Sequence, residues 1–194
     1  GVMSLFEAAE AAEKDLGLPD ELKGILAAVA DETTHGLAYP YGAAVCEIEI
    51  DPETGFYEIP RYSTVDDVGK ALNPMIVDGQ THGGIVQGAG QALFEWSHYD
   101  RETGQNLSAT FMDYQVARAS DFPSFDTHIS EVPAKSHPLG FRPGGEGGTT
   151  PSLGVTVNAI TDALADLGVR HIEMPVTPFR IWQAIQQAKA DQAV

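Results

Sequence analysis

The chain has 194 residues, 43% of them hydrophobic and 20% charged, with a formal net charge of -17 at pH 7. This is enough for a sizeable core in one or two soluble domains, and no apolar run reaches the ~20 residues that span a bilayer. The negative charge makes nucleic acid an improbable partner, because binding to phosphate backbones depends on Lys and Arg.

The amino-terminal region predicts helices over about residues 4–28. Ser4 followed by Glu7 is the pattern of a capping box, and the first helix is expected to end at Leu16, before Gly17. A second helix is expected after Pro19. The residues at the start lack the basic patch and apolar stretch of a signal peptide, and we expect a cytoplasmic protein.

A β-hairpin is predicted over about residues 43–65. The turn at residues 51–55 ends in Gly55, which can adopt a positive φ. Cys46 lies on the apolar face of the first strand and is expected to be a buried core thiol. As the single cysteine it cannot form an internal disulfide or supply the four thiolates of an iron–sulfur cluster. Asp66 and Asp67 at the end of the second strand are either a carboxylate pair or, more plausibly, caps of the following turn.

A buried helix is predicted over about residues 77–96. It carries no charge between Asp78 and Glu95 but contains several glycines, each of which costs ~1 kcal/mol relative to alanine in a helix. Their number implies close contact with backbone or ligand. Two interpretations remain open, a helix packed against a ligand and a helix that crosses another helix through Gly84 and Gly88.

The second half of the chain adds a short hairpin around residues 100–104, a strand over about 126–132, and C-terminal helices over about 155–188. Gly168 is expected to end the first of these helices. The last helix is expected to begin with Thr177 as its cap and to bury Phe179, Trp182 and Ile185, and residues 186–194 are expected to fray. The predicted fold class is α+β, with antiparallel strands and packed helices.

The most informative segment is a loop at about residues 134–150 that holds one carboxylate, Glu146, among four glycines. Glycines allow backbone to approach a bulky group closely, so Glu146 is a candidate catalytic residue beside a ligand. A flexible connector with a solvated glutamate is the alternative. A phosphate-binding loop is disfavoured, because no Lys-Ser or Lys-Thr follows the glycines and the carboxylate would repel phosphate.

Four ordered sequence blocks resemble the large subunit of molybdenum hydroxylases, the family of xanthine dehydrogenase, aldehyde oxidoreductase and aerobic carbon monoxide dehydrogenase. In chain order they are Val65-Asp66-Asp67-Val68-Gly69 with Asn73-Pro74, Gly79-Gln80-Thr81-His82-Gly83-Gly84 continuing to Leu93, Phe111-Met112-Asp113-Tyr114, and Gly145-Glu146-Gly147-Gly148-Thr149 with the residues from Asn158 to Pro178. The pattern is most similar to the carbon monoxide dehydrogenase-like bacterial branch. The resemblance identifies residues 1–194 as a single segment from the C-terminal end of the molybdopterin-binding domain.

The resemblance also implies site residues. It makes Glu146 the catalytic general base, partly buried, with Gly145 and Gly147 shaping its loop. It places Gln87 and Gly88 at the pterin cofactor, although Gln87 could equally be a buried amide bonded to backbone. It implies no protein metal ligand, because the cofactor dithiolene holds the molybdenum. His82 and His171 lack ligand spacing and are interpreted as structural, with His171 on a short strand.

The implied assembly is larger than this chain. The resemblance implies molybdenum-molybdopterin, in the cytosine dinucleotide form, shared with the rest of the large subunit, and iron–sulfur clusters and FAD on an iron–sulfur subunit and a flavin subunit. It implies an oligomer that oxidises a small-molecule substrate with water as oxygen source, and an isolated chain that is inactive. Pro143 and the residues from Thr150 to Gly154 depart from the family pattern and leave the substrate class open. A noncatalytic scaffold that retains the fold is the second hypothesis.

Overall fold

The structure is a computed structural model that describes residues 2, 4–14, 29–31 and 38–192. The chain divides into two compact units, Gly1–His35 and Gly36–Val194. In the first unit, helix α1 spans Leu5–Glu13. The predicted capping box is confirmed, because the Glu7 amide donates to Ser4 Oγ and the Ser4 amide donates to the Glu7 carboxylate. The helix predicted after Pro19 lies outside the described residues.

A three-stranded sheet forms the framework of the second unit. Strands β1 (Tyr41–Ile50) and β2 (Tyr57–Asp67) make the predicted antiparallel hairpin, and Gly55 in its turn has a φ of 74°. Strand β3 (Asp126–Ser130) pairs with β2 in parallel, so the sheet is mixed and not purely antiparallel as expected. Parallel neighbours require a long crossover connection, and the segment between β2 and β3 contains the longest helix.

The described part of the second unit contains three α-helices. Helix α2 spans Pro74–Leu93, α3 spans Thr149–Ala163 and α4 spans Pro178–Gln192, which confirms the α+β class. The start of α2 is earlier than predicted because Asn73 caps it through the Ile76 amide. No helix among the described residues is both long and apolar enough to cross a membrane.

The predicted ends of the C-terminal helices agree only partly with the structure. Gly168 has the positive φ of a helix-ending glycine, 87°, but it ends the 3-10 turn that follows α3, while α3 itself ends earlier than predicted, at Ala163. Helix α3 begins well before the expected residue 155, directly after the glycine loop. The expected fraying of residues 186–194 is wrong as far as Gln192, the last described residue, whose side-chain amide donates to the Leu167 carbonyl at 3.1 Å.

The core lies between the sheet and the helices, and it corrects the face predicted for α4. Ile181 and Ile185 are fully buried there, while Phe179 is 62% and Trp182 37% exposed. The two isoleucines are four residues apart and therefore share one helix face. Phe179 and Trp182 stack on each other instead, with ring centroids 6.2 Å apart. The prediction was correct for Ile185 and wrong for the two aromatic residues.

Two further expectations were only partly correct. Cys46 faces the core from β1 but is only partly buried, so it is not the fully buried thiol expected. Burial, and then the neighbouring charge of Glu47, raise the pKa of the Cys46 thiol to about 11, which keeps the thiol protonated at neutral pH. His171 is exposed and lies outside any strand, so its predicted strand is wrong.

Candidate active site

The glycine loop forms a tight turn that leads directly into α3. The Gly147 amide donates to the Gly144 carbonyl at 3.3 Å, and the Thr150 amide donates to the Glu146 carbonyl at 3.1 Å. The second of these bonds joins Glu146 to the first turn of the helix. The Glu146 side chain is exposed, in contrast to the partial burial expected, so the turn presents a carboxylate on the surface of the described residues.

Arg142 anchors the start of the loop to the end of β2. Its amide donates to the Val68 carbonyl at 2.8 Å, and its Nε lies 3.7 Å from Asp67 Oδ1, with both side chains about nine-tenths buried. The guanidinium also lies 4.5 Å from the centroid of the Tyr41 ring. Asp67 accepts the amide hydrogen of Gly69 at 2.8 Å, which confirms its predicted role in the turn.

Asp66 is the second carboxylate of the predicted pair, and it lies beneath the loop. It is 4% exposed, accepts a hydrogen bond from Thr64 Oγ1 at 2.9 Å, and burial raises the pKa of its carboxyl. A Cβ built on Gly147 would lie 3.7 Å from Asp66 Oδ1. The two aspartates therefore do different things, because Asp67 accepts hydrogen bonds from backbone amides while Asp66 accepts one from the Thr64 hydroxyl near Gly147.

Helix α2 packs against the loop and α3 through two of its glycines. A Cβ on Gly84 would lie 2.9 Å from the Thr149 nitrogen, and one on Gly88 would lie 2.9 Å from Ser152 Cβ. Neither position has room for a side chain, because the backbone of α3 lies directly opposite. The helix-crossing interpretation is therefore confirmed for Gly84 and Gly88.

A neighbouring strip of α2 carries a second set of residues, two glycines and two glutamines, that is exposed. We call this set, Gly79, Gln80, Gly83 and Gln87, the open face of α2. All four are exposed, and a Cβ on Gly79 or Gly83 would have no atom within 4 Å. The face adjoins the loop, because a Cβ on Gly145 would lie 3.6 Å from Gln80 Nε2. Gln87 points outward here and is not a buried amide.

Gln80 is a candidate site residue that the sequence interpretation did not single out. It lies seven residues before Gln87, a spacing that returns to nearly the same side of a helix, and this was the signal that could have identified it. Together with Lys70 and Arg142 it lines a cleft of about 330 Å³ at the edge of the loop. This cleft also includes Gly144, the first glycine of the loop.

His82 has the structural position that was predicted. Its Nε2 lies 3.6 Å from Asp78 Oδ1 and 3.4 Å from Thr127 Oγ1, and its ring packs edge-on against Phe125. The Thr127 hydroxyl donates to Asp78, so these side chains link α2 to β3. A larger cleft of about 660 Å³ lies beside them, and Glu146 is not among its lining residues.

The polar groups around the loop are able to hydrogen-bond to an organic ligand. Two side-chain amides, open glycine backbone and a carboxylate surround the candidate site, and amides bind ligand oxygen and nitrogen atoms as both donors and acceptors. Across residues 4–14, 29–31 and 38–192, no group of three or more His, Cys, Asp and Glu side chains is arranged to hold a metal ion.

Comparison with known proteins gives a consistent result. A family profile described as a molybdopterin cofactor-binding domain matches residues 5–123. The carbon monoxide dehydrogenase large chain of Afipia carboxidovorans is 35% identical over 169 residues, which are 87% of this chain and 21% of the relative. The 6-hydroxypseudooxynicotine dehydrogenase complex subunit gamma of Paenarthrobacter nicotinovorans is 38% identical over 185 residues, or 95% of this chain and 23% of the relative.

Among solved structures, a Cu,Mo-CO dehydrogenase in its carbon monoxide reduced state matches with a TM-score of 0.86 and 34% identity, over 94% of this chain and 23% of that chain. The chain thus spans about a fifth of the length of these relatives. The profile match ends at residue 123, before the glycine loop, so the position of Glu146 is described by the geometry above and not by the profile.

Proposed function

This chain belongs to the molybdopterin cofactor-binding domain family of the molybdenum hydroxylases, and on that premise we propose that it is the base-bearing part of such an enzyme, with Glu146 as the general base. The enzyme oxidises an aldehyde, an N-heterocycle or carbon monoxide and takes its oxygen from water. The observation that supports this most is that Glu146 is exposed in a turn whose preceding residue, Gly145, lies next to Gln80 on the uncharged open face of α2.

The cofactor, when bound, supplies the two-electron oxidation. Glu146 accepts the proton that is released when water gives up its oxygen to the substrate, and a carboxylate is one of the side chains that can act as such a general base. The hydrogen bond from the Thr150 amide to the Glu146 carbonyl fixes the backbone of the base to α3. The side chain of the base therefore starts from a backbone that is fixed to a helix, which limits the positions that its carboxylate can reach.

The remaining predicted residues hold the ligand in this proposal. Gln87 binds a cofactor oxygen or nitrogen through its amide, with Gln80 as a second amide on the same open face. Gly145 and Gly147 allow the turn to approach the ligand, since neither has protein atoms closer than 3.5 Å to a built Cβ. Gly88 contributes by letting α3 and the loop approach α2.

The assembly that we propose is larger than the 194 residues. The cofactor is the cytosine dinucleotide form of molybdenum-molybdopterin, shared with further parts of the large subunit, and iron–sulfur and flavin subunits carry the electrons away. Large apolar side chains support a covering partner, because Phe111 is 87% and Met112 93% exposed. We place the oligomeric enzyme in the cytoplasm.

The decisive experiment is Glu146→Gln in the enzyme assembled around this segment. Glutamine keeps the size of the side chain but cannot accept the proton, so turnover should fall by about 10²–10⁴-fold while molybdenum per large subunit is unchanged. Steady-state kinetics and elemental analysis measure the two quantities. Near-normal turnover with full metal would end the base assignment and favour the noncatalytic scaffold.

Glu102→Gln is the matched control, because Glu102 is an exposed glutamate in the turn at residues 100–104, away from the glycine loop. It should leave turnover within about twofold, as expected for a surface change. Glu131 is a poorer control. It lies just beyond β3, and its Oε1 accepts the Ala71 amide hydrogen at 2.8 Å, so it stabilises the turn after β2.

A further inference from the structure

Strand β2 presents a row of buried polar side chains to α3 and to the glycine loop. Tyr62, Thr64 and Asp66 alternate along the strand and are 0%, 4% and 4% exposed. A core strand ordinarily turns apolar side chains inward, since buried polar groups are costly unless they are hydrogen-bonded. The partners of these three residues therefore show what the polar row does.

Tyr62 begins a hydrogen-bonded chain that ends on the loop. Its hydroxyl lies 2.7 Å from Ser152 Oγ, and Ser152 Oγ lies 2.6 Å from the Gly148 carbonyl oxygen. Because a carbonyl only accepts, Ser152 must donate its hydrogen to Gly148, and Tyr62 must donate to Ser152. Burial raises the pKa of the Tyr62 phenol, so the hydrogen that this direction requires is retained.

The hydrogen-bonded chain from Tyr62 ends at Gly148, the last residue of the loop before α3 begins. Gly148 follows Glu146 by two positions and is pressed from the other side by α2, where a Cβ on Gly148 would lie 3.0 Å from the Ile85 nitrogen and would contact the Thr81 carbonyl oxygen. A serine hydroxyl that bonds the carbonyl four residues earlier is common in helices. The Tyr62 hydroxyl, which donates to Ser152 from β2, is not part of that local pattern. It connects the end of the loop to the sheet.

We propose that Tyr62 is a positioning residue for Glu146. Acting through Ser152, it fixes the Gly148 carbonyl on the sheet and so sets the distance from the Glu146 carboxylate to the open face of α2. This inference rests on the proposed role of Glu146 as base. Asp66, further along the same strand, lies near Gly147 in this turn. Without the Tyr62 hydroxyl, Ser152 still bonds to the Gly148 carbonyl, but the end of the loop loses its hydrogen-bonded link to β2, and only its start remains attached there through Arg142.

The test compares Tyr62→Phe, Ser152→Ala and the double variant in the assembled enzyme. Amide hydrogen exchange of a peptide that covers residues 144–150 reports on the Gly147 and Thr150 amides, both hydrogen-bonded in the loop. Tyr62→Phe should raise the exchange of this peptide about tenfold and lower kcat about tenfold, with KM within about twofold and molybdenum content unchanged. The double variant should exchange no faster than Ser152→Ala alone, because both changes break one chain.

Tyr57→Phe is the matched control. Tyr57 is partly buried on the same strand, its ring stacks on Phe56 at 6.2 Å, and its change should leave loop exchange unaltered. Unchanged exchange in Tyr62→Phe, or single effects that multiply in the double variant, would overturn the proposal. The hydrogen-exchange measurement alone decides whether the Tyr62 hydroxyl stabilises the loop. Failure of the Glu146 assignment would appear separately, as normal turnover in Glu146→Gln.

Discussion

Helix α2 carries glycines both on the face that packs against α3 and on its open face, but their surroundings differ. On one face, Gly84 and Gly88 are buried because the backbone of α3 and the glycine loop lies where a side chain would be. On the open face, Gly79 and Gly83 are exposed and have no protein atom within 4 Å of a built Cβ. Packing against α3 and the loop explains the glycines at positions 84 and 88, whereas no packing contact among the described residues explains Gly79 and Gly83.

This difference separates structure from ligand binding within one helix. Exposed glycine in a helix interior costs about 1 kcal/mol relative to alanine, so Gly79 and Gly83 are unfavourable in the described residues taken alone. A ligand that approaches the backbone closely would remove that disadvantage. The glycines of the buried face are therefore explained by the fold. The glycines of the open face are an argument for the proposed cofactor position outside the packed core.

The largest effect on stability is expected from Gly88→Ala on the buried face. Its Cβ would contact the Thr149 carbonyl oxygen and lie 2.9 Å from Ser152 Cβ, and backbone cannot rotate away as a flexible side chain can. Overpacking of this kind costs about 1–3 kcal/mol, against a helix-propensity gain of about 1 kcal/mol. We expect the free energy of unfolding to fall by up to about 2 kcal/mol in urea denaturation. An unchanged midpoint would show that α2 and α3 separate easily and would break the comparison.

Much of the fold followed from local sequence signals. The capping box at Ser4, the positive φ at Gly55 and the termination at Gly168 all depend on residues within a few positions of one another. Such features are encoded locally and hold whatever the rest of the chain does. The glycine loop around Glu146 was predicted in the same way, from its composition alone, but the catalytic role of Glu146 remains a prediction.

What the sequence did not predict depends on distant partners. The parallel pairing of β3 with β2 joins segments about 60 residues apart, and no local pattern specifies it. In α4, both Ile181 with Ile185 and Phe179 with Trp182 have helical spacing, and only the surrounding core decides that the isoleucines are buried. Gln80 was missed for a related reason, because its proximity to the loop arises from the packing of α2 on α3.

Gly83→Ala, on the open face, should change the free energy of unfolding less than Gly88→Ala does and in the opposite direction. Because a Cβ at this position contacts nothing, alanine should raise the free energy of unfolding of the chain by about 0.5–1 kcal/mol through helix propensity and a less flexible unfolded state. The same methyl group would obstruct a ligand on the open face, so molybdenum per large subunit in the assembled enzyme should fall. A more stable variant with full molybdenum content would show that nothing approaches the backbone at Gly83.

The smallest effect on stability, and the most selective test of the open face, is Gln87→Ala. The Gln87 side chain is exposed, so the free energy of unfolding should change by less than about 0.5 kcal/mol. If its amide binds the cofactor, the assembled enzyme should lose molybdopterin about tenfold faster during dialysis, as expected for one or two missing hydrogen bonds to a ligand. Gln183→Ala removes an exposed glutamine from α4 and should change neither quantity. Equal cofactor loss in both variants would mean that the amide at Gln87 has no special position, and the open face would then rest on its glycines alone.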